Sequence, residues 1–160
     1  MTLSDAHRQY LIEAAITPEV IDASGISTRE KEPTGIVFPW NDGSLEEALP
    51  QLRPDVPVLN DRGKPVKYRF PAGAKMVLNR LRDCGDGPAL IVEGTKQQYT
   101  ALSHAPDGFA VYGLSGCWNW TDADLTWAMG REVYVLFDGD FTSNPDVYKA
   151  ASGLSEALDL

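Results

Sequence analysis

The chain contains few residues of the types that hold metals through nitrogen or sulfur. Its 160 residues include two cysteines, Cys84 and Cys117, and two histidines, His7 and His104. Two cysteines cannot form a disulfide framework, and this small set is a poor basis for a structural zinc site. A metal in this protein would therefore be held by oxygen ligands, and we expect both histidines to lie on helix surfaces.

Long apolar runs are also lacking. The run Val133–Phe137 is far short of the roughly 20 residues that cross a bilayer, and the first ten residues lack the basic-then-apolar order of a signal peptide. We therefore expect a cytoplasmic protein without membrane contacts. There is also no Gly-x-x-x-x-Gly-Lys-Ser/Thr loop and no Gly-x-Ser-x-Gly elbow. These two absences argue against an intrinsic ATPase and against a serine hydrolase.

The apolar content is sufficient for a buried core. Hydrophobic residues make up 43% of the sequence, and the length suits one ordinary domain or one domain with a short appendage. Collagen-like, coiled-coil and largely disordered chains have different compositions. The sequence therefore predicts a globular protein.

Positive charge is concentrated in one segment of an acidic chain. The net charge is -9, yet residues 51–82 hold eight basic and two acidic side chains, a local net charge of +6. Such asymmetry is compatible with a basic groove for a phosphate backbone. We select Arg53, Lys64, Lys67 and Arg69 as candidate nucleic-acid contacts. The alternative is a solvated hairpin whose charges only maintain solubility.

Residues 1–86 are expected to form a helical N-terminus and a small basic β unit. Ser4–Ile16 has helical spacing of apolar residues, and Thr17-Pro18 is a common helix start. Further on, short apolar runs are broken by proline and glycine, which predicts a small, mostly antiparallel sheet. In Val66–Phe70 apolar and basic residues alternate, so Lys67 and Arg69 should share the outward face.

Residues 87–160 are expected to form an α/β domain, because apolar strands alternate with helical segments. The strands are predicted at Ala89–Val92, Gly108–Leu114 and Glu132–Phe137, and the helices at Thr95–His104, Asp122–Met129 and Asn144–Leu158. Three such strands leave an edge uncovered. We expect a further segment of a longer chain, a second copy or a strand from the front β unit to cover it.

Three acidic residues follow two of these apolar strands. Glu93-Gly94 follows the first strand, and Asp138-Gly139-Asp140 follows the last. Open α/β sheets bind ligands at the carboxyl ends of their strands, and glycine permits close approach there. If the two strands are neighbours, the three carboxylates suit Mg²⁺ or Mn²⁺. The alternative is that each acidic residue caps a helix or occupies a turn.

The ordered motifs resemble the Toprim (topoisomerase-primase) domain, whose signature is one glutamate and a later Asp-x-Asp. The matching segments are Ala89–Lys96, Val111–Trp118 and Val135–Asp140. The upstream segments Leu52–Asp55 and Gly63–Pro71 resemble the N-terminal region that precedes such a domain in replication proteins of phages, plasmids and mobile elements. The resemblance covers nearly the whole chain.

The resemblance implies a mostly parallel Toprim-like sheet flanked by helices, preceded by two short helices and a small antiparallel β unit. It also implies Mg²⁺-dependent chemistry on nucleic-acid phosphodiesters. Glu93 would be the acid/base or metal-linked carboxylate, Asp138 and Asp140 would be metal ligands, and Gly94 and Gly139 would be spacers. Lys96 would face phosphate, although a lysine on the surface of the first helical turn is an equal alternative.

The function implied by the resemblance is DNA primase-type nucleotidyl transfer in mobile-element replication. Its partners would be single-stranded or template DNA and nucleotides, with a replicative helicase or a longer parent chain as a further partner. A Toprim-type nuclease and a non-catalytic module that binds DNA or a protein partner remain open. The final strand usual in Toprim domains is missing, which predicts either a C-terminally incomplete fragment or a minimal relative. Trp118, Trp120 and Trp127 would be core or interface aromatics, with stacking of single-stranded bases on the loop Trp118-Asn119-Trp120 as the alternative.

Overall fold

A computed structural model describes residues 2–137, 139 and 143–159 of the chain. They form two compact units. Unit 1 consists of Met1–Trp40 and Leu45–Lys75, and unit 2 of Asn41–Ser44 and Met76–Leu160. Among the described residues, no helix is long and apolar enough to cross a bilayer.

Unit 1 begins with two short helices, α1 (Asp5–Glu13) and α2 (Pro18–Ala23). The hydroxyls of Ser4 and Thr17 cap them by accepting backbone N–H groups at their first turns. Both predicted helices are therefore confirmed. The buried faces of α1 and α2 contribute to an apolar core together with strand residues that follow, including Leu11, Ile21, Ile36 and Phe38.

The strands of unit 1 form two antiparallel sheets. The larger contains β1 (Ser27–Arg29), β2 (Gly35–Trp40) and β3 (Leu49–Pro54) in that order, and the smaller pairs β4 (Val58–Leu59) with β5 (Pro65–Val66). Short connections favour antiparallel pairing, because a parallel pair needs a crossover of a dozen or more residues. A turn at residues 60–64 joins β4 to β5.

The expected strand Val66–Phe70 is only partly regular. Arg69 forms an isolated antiparallel bridge with Leu52, with both backbone hydrogen bonds at 2.8 Å. The predicted alternation of faces is nevertheless present. Val66, Tyr68 and Phe70 are half-buried, whereas Lys67 and Arg69 are exposed.

Unit 2 is built on a four-stranded sheet. Its strands are β6 (Asn79–Arg82), β7 (Ala89–Glu93), β8 (Ala110–Leu114) and β9 (Val133–Leu136), in the order β6-β8-β7-β9. β7 pairs in parallel with both β8 and β9, whereas β6 runs antiparallel to β8. Two helices accompany the sheet, α3 (Thr95–His104) and α4 (Pro145–Leu158).

The expected Toprim-like, mostly parallel fold is therefore wrong. The structure is a mixed α/β chain with two antiparallel sheets and one mixed sheet. Within the described part of unit 2, the connections from β7 through α3 to β8 and from β8 to β9 are long enough for parallel crossovers, whereas the six residues between β6 and β7 are not. The strand β6 comes from before residue 87 and adds an antiparallel edge beside β8.

The helix expected at Asp122–Met129 is also wrong. A single 3₁₀ turn, Thr126–Ala128, lies there. The carboxylate of Asp124 accepts hydrogen bonds from the backbone N–H of Thr126 at 2.9 Å and from its hydroxyl at 2.6 Å. Such local side-chain bonds compete with the helical hydrogen-bond pattern, so these short polar residues favour turns.

The two faces of the unit 2 sheet are covered by different elements. On one face Ile91, Leu114 and Leu154 belong to a cluster of buried apolar side chains, and the ring of Trp127 stacks on Tyr112 with centroids 3.9 Å apart. On the other face α3 contacts β6, β7 and β8. This arrangement fixes where the chain leaves β7 and enters α3.

Candidate functional site

The carboxyl ends of the three parallel strands meet at one edge of the unit 2 sheet. In the strand register Glu93 of β7 lies beside Leu114 of β8, and Val92 lies beside Leu136 of β9. The backbone N–H of Gly94 donates to the carbonyl oxygen of Leu114 at 2.9 Å, which holds two of the strand ends together. The condition that the first and last predicted strands be neighbours is met.

Glu93 borders a cavity at this edge. The side chain is half-buried at the last position of β7. The cavity has a volume of about 350 Å³, and α3 and the end of β9 supply much of its wall. Its lining includes Glu93, Gln97, Thr100, His104, Leu136 and Phe137. Phe137, which directly precedes Asp138 in the chain, is part of this lining.

Asp138 and Asp140 lie outside the described residues, so their geometry is not described. Gly139 is described and is exposed. Within the described ranges, no group of three or more His, Cys, Asp or Glu side chains is arranged to hold a metal ion. Of the three predicted ligands, the structure therefore describes Glu93. It also describes the end of strand β9, which precedes the other two in the sequence.

The turn from β7 into α3 depends on Gly94. Its φ of 96° lies in a region that residues with a side chain rarely adopt, and an added Cβ would meet the side chain of Gln97. Gly94 is the N-cap of α3, whose first turn carries no acidic residue. Lys96 lies in that first turn and is half-buried. In the sequence, Glu93 is therefore followed at once by the N-terminus of α3, which is the positive end of its helix dipole, and by the cation Lys96.

A buried polar network beneath α3 was not foreseen from the sequence. The side-chain oxygen of Asn79 accepts the backbone N–H of Asn41 at 2.9 Å, and its amide nitrogen donates to Oε1 of Gln98 at 3.2 Å. Both amide side chains are almost fully buried. Gly113 permits this packing, because an added Cβ would overlap the Gln98 amide.

The same network includes Tyr99. Burial raises the pKa of its phenol far above the usual value, and a hydrogen bond with Asn79 offsets part of that effect. Tyr99 is therefore a neutral hydrogen-bonding group at ordinary pH. The network fixes α3 on the sheet and so fixes the Glu93-Gly94 turn. The one sequence signal for it is Gly113, because glycine inside an apolar strand often marks a close approach of another chain segment.

No protein-family model matches this chain, and no curated protein or solved structure matches it significantly. The resemblance to the Toprim domain therefore rests on the sequence motifs alone.

The four candidate nucleic-acid contacts all lie in unit 1 but in different surroundings. Lys64, Lys67 and Arg69 are exposed, whereas Arg53 is half-buried. The Arg53 guanidinium lies over the ring of Tyr10, 4.3 Å from its centroid. Burial raises the pKa of Tyr68 to about 12, and the charge and hydrogen bond of Arg53 work against that rise. Arg53 is therefore already held by two tyrosines, and the other three side chains are more accessible to phosphate.

Two further arginines of the basic segment belong to unit 2 and are engaged there. The Arg82 guanidinium donates to the carbonyl oxygens of Phe109 at 2.7 Å and Pro106 at 2.7 Å. Arg80 forms an ion pair with Asp83 at 3.5 Å. The charge of +6 is therefore divided between the two units rather than collected on a single β unit.

His7 is not the simple helix-surface residue expected from the sequence. Its Nδ1 lies 2.8 Å from the hydroxyl oxygen of Thr28, and its Nε2 lies 2.9 Å from a carboxylate oxygen of Asp55. Burial disfavours ionisation of Asp55, but hydrogen bonds from Thr34 and His7 and the charges of His7 and Arg53 outweigh it, so its pKa is lowered. These contacts join α1 to β1 and to the end of β3.

Proposed function

We propose that the carboxyl edge of the unit 2 sheet binds a divalent cation and carries out phosphodiester chemistry on nucleic acid, with primase-type nucleotidyl transfer as the reaction. The observation that supports the proposal is the parallel pairing of β7 with β9, in register from Ala89↔Val133 to Val92↔Leu136. With that pairing, Glu93 and the end of β9 at Leu136 lie at the same edge of the sheet, and Asp138 follows Leu136 by two residues in the sequence.

The donor set fits a hard cation. Glu93, Asp138 and Asp140 are carboxylates, and Mg²⁺ and Mn²⁺ prefer oxygen ligands with several retained waters or substrate phosphates. When bound, such a cation would neutralise phosphate charge and help to align the reacting oxygens. The half-buried position of Glu93 favours the bound state, because a partly desolvated carboxylate gains more from a nearby positive charge than an exposed one does.

The remaining groups at this edge suit a phosphorylated substrate. The N-terminus of α3 presents backbone N–H groups, and Lys96 adds a positive charge in the same turn. In this proposal Glu93 exchanges a proton with a nucleophile or holds the cation. The exposed Lys64, Lys67 and Arg69 of unit 1 are the proposed contacts for single-stranded or template DNA, with nucleotides as the second substrate.

The direct experiment supplies the full chain with labelled nucleotides, a single-stranded template and Mg²⁺ or Mn²⁺. Extended products support nucleotidyl transfer. A shortened template would indicate a nuclease instead of a nucleotidyltransferase. Binding of DNA without any reaction would indicate a non-catalytic module. We expect Glu93→Gln to lower the rate by about 10²-fold or more, since it removes a carboxylate at the reacting groups.

A matched control is available at the opposite edge of the same sheet. Glu132 is an exposed glutamate just before β9, and its carboxylate accepts a hydrogen bond from the hydroxyl of Tyr134. Glu132→Gln makes the same chemical change at the amino ends of the parallel strands and should leave the rate unchanged. Equal rates for the parent, Glu93→Gln and Glu132→Gln would refute the proposed site.

A further inference from the structure

The connection that follows β8 presents an exposed tryptophan on a fixed base. Trp118 is 46% exposed, although its side chain is one of the largest apolar groups in the protein. Its ring is nearly parallel to that of Trp120, with an interplanar angle of 24° and centroids 6.4 Å apart. The pair therefore has an inner ring and an outer ring, and the outer ring is in contact with solvent.

The inner ring is anchored in unit 2. Trp120 is half-buried and packs against the apolar cluster of the sheet. Its six-membered ring lies close to α4 at Gly153, where an added Cβ would lie 3.2 and 3.3 Å from two ring carbons. A larger residue at this position of α4 would push the ring away. The glycine thus helps to set the position of Trp120, and through it the orientation of Trp118.

The turn between the two rings is held by local hydrogen bonds. The side-chain amide of Asn119 donates to the hydroxyl of Ser115 at 2.5 Å, and its backbone N–H donates to the carbonyl oxygen of Gly116 at 3.0 Å. The hydroxyl of Thr121 donates to the carbonyl oxygen of Trp118 at 3.2 Å. An aromatic residue held in this way loses little conformational freedom when a planar ligand stacks on it.

The location of the turn indicates the kind of ligand. Residues 115–121 directly follow β8, so they begin at the same sheet edge as Glu93, which lies beside Leu114 in the register. We propose that Trp118 is a stacking residue that binds an unpaired nucleobase of the nucleic acid at this edge. The proposal rests on the proposed function for the choice of ligand.

The test compares two single-stranded DNA oligonucleotides of equal length and charge, one of thymidines and one with abasic sites, in a buffer that contains a metal chelator. We expect Trp118→Ala to weaken binding of the thymidine oligonucleotide by about 5- to 150-fold, which corresponds to the roughly 1–3 kcal/mol of one stacked base. Binding of the abasic oligonucleotide should not change. Trp118→Phe should retain most of the affinity, because it keeps a ring.

Met129→Ala is the control, since Met129 is a 68% exposed apolar residue in the same connection and has no ring. Equal binding by Trp118→Ala and the parent would overturn the proposal, as would an equal loss for both oligonucleotides. If the parent self-associates and Trp118→Ala does not, Trp118 is a contact between copies instead. Because the chelator removes divalent cations, base binding is measured independently of the proposed phosphodiester chemistry, and either can fail alone.

Discussion

Replacement of Gly113 by alanine is the sharpest test of how α3 packs on the sheet. The added Cβ would overlap the amide of Gln98, which is fully buried and accepts a hydrogen bond from Asn79. Gln98 must therefore move, and Asn79 loses its acceptor. A buried amide without its partner costs about 1–3 kcal/mol, and an extra methyl group in a packed interior costs about 1–3 kcal/mol. We expect Gly113→Ala to lower the free energy of unfolding by about 2–6 kcal/mol.

Urea denaturation followed by tryptophan fluorescence measures this change, because three of the four tryptophans belong to unit 2. Gly108→Ala is the matched control, since Gly108 is exposed and an added Cβ there would meet no atom within 4 Å. It should change the free energy of unfolding by less than about 0.5 kcal/mol.

A double variant separates this packing from a general loss of stability. Gln98→Ala creates the space that the new methyl group needs, so the loss in Gly113→Ala/Gln98→Ala should be smaller than the sum of the two single losses by about 1 kcal/mol or more. Strict additivity, or a Gly113→Ala protein as stable as the parent, would refute the contact between the Gln98 amide and β8.

Two further predictions concern unit 1. Because the pKa of Asp55 is lowered in the folded state, its stabilising contribution is present above the unfolded value near 3.9 and is lost as the pH falls through the folded value. Urea midpoints measured from pH 6 to pH 2 should therefore fall more steeply for the parent than for Asp55→Asn, and parallel curves would contradict the lowered pKa of Asp55 in the folded state. The double variant Lys67→Glu/Arg69→Glu should weaken binding of single-stranded DNA, and the parent's affinity should fall steeply with salt, as expected when phosphate contacts release counterions. Fluorescence anisotropy from 50 to 200 mM salt tests this, and unchanged affinity at low salt would show that both charges only solvate the surface.

Local signals in the sequence were sufficient for the four described α-helices, although they also predicted a helix at Asp122–Met129 that is a single 3₁₀ turn. The side chains of Ser4 and Thr17 each accept a backbone N–H from three residues further along the chain. The side chain of Asn144 caps α4 by accepting the N–H of Asp146. Such capping depends on neighbours in the chain, so it can be read without tertiary information. The apolar runs that became β7, β8 and β9 were also recognisable, and with them the strand end at Glu93.

Pairing over long sequence distances could not be read in this way. β6 is the polar segment Asn-Arg-Leu-Arg, and nothing in its composition marks it as a sheet strand. Its strand character comes from pairing with β8, some thirty residues further along the chain. The Asn79–Gln98 hydrogen bond also joins residues that are distant in the chain, so no local pattern indicates it. The expected fold class was wrong because the antiparallel edge strand β6 depends on such a distant partner, whereas the antiparallel sheets of unit 1 and the parallel order of β7 to β9 follow from local patterns.

The four residues Asn41–Ser44 limit how the protein can be divided into shorter polypeptides. They are assigned to unit 2, although the chain on either side of them belongs to unit 1. Asn41 donates its backbone N–H to the Asn79 side chain and accepts the N–H of Arg80 at 2.8 Å. A polypeptide that began at Met76 would retain the four strands described for the unit 2 sheet, yet Asn79 and Arg80 would each lose a hydrogen bond to Asn41. The units therefore cannot be separated by one proteolytic cut, and an inactive C-terminal piece would say nothing about the chemistry of Glu93.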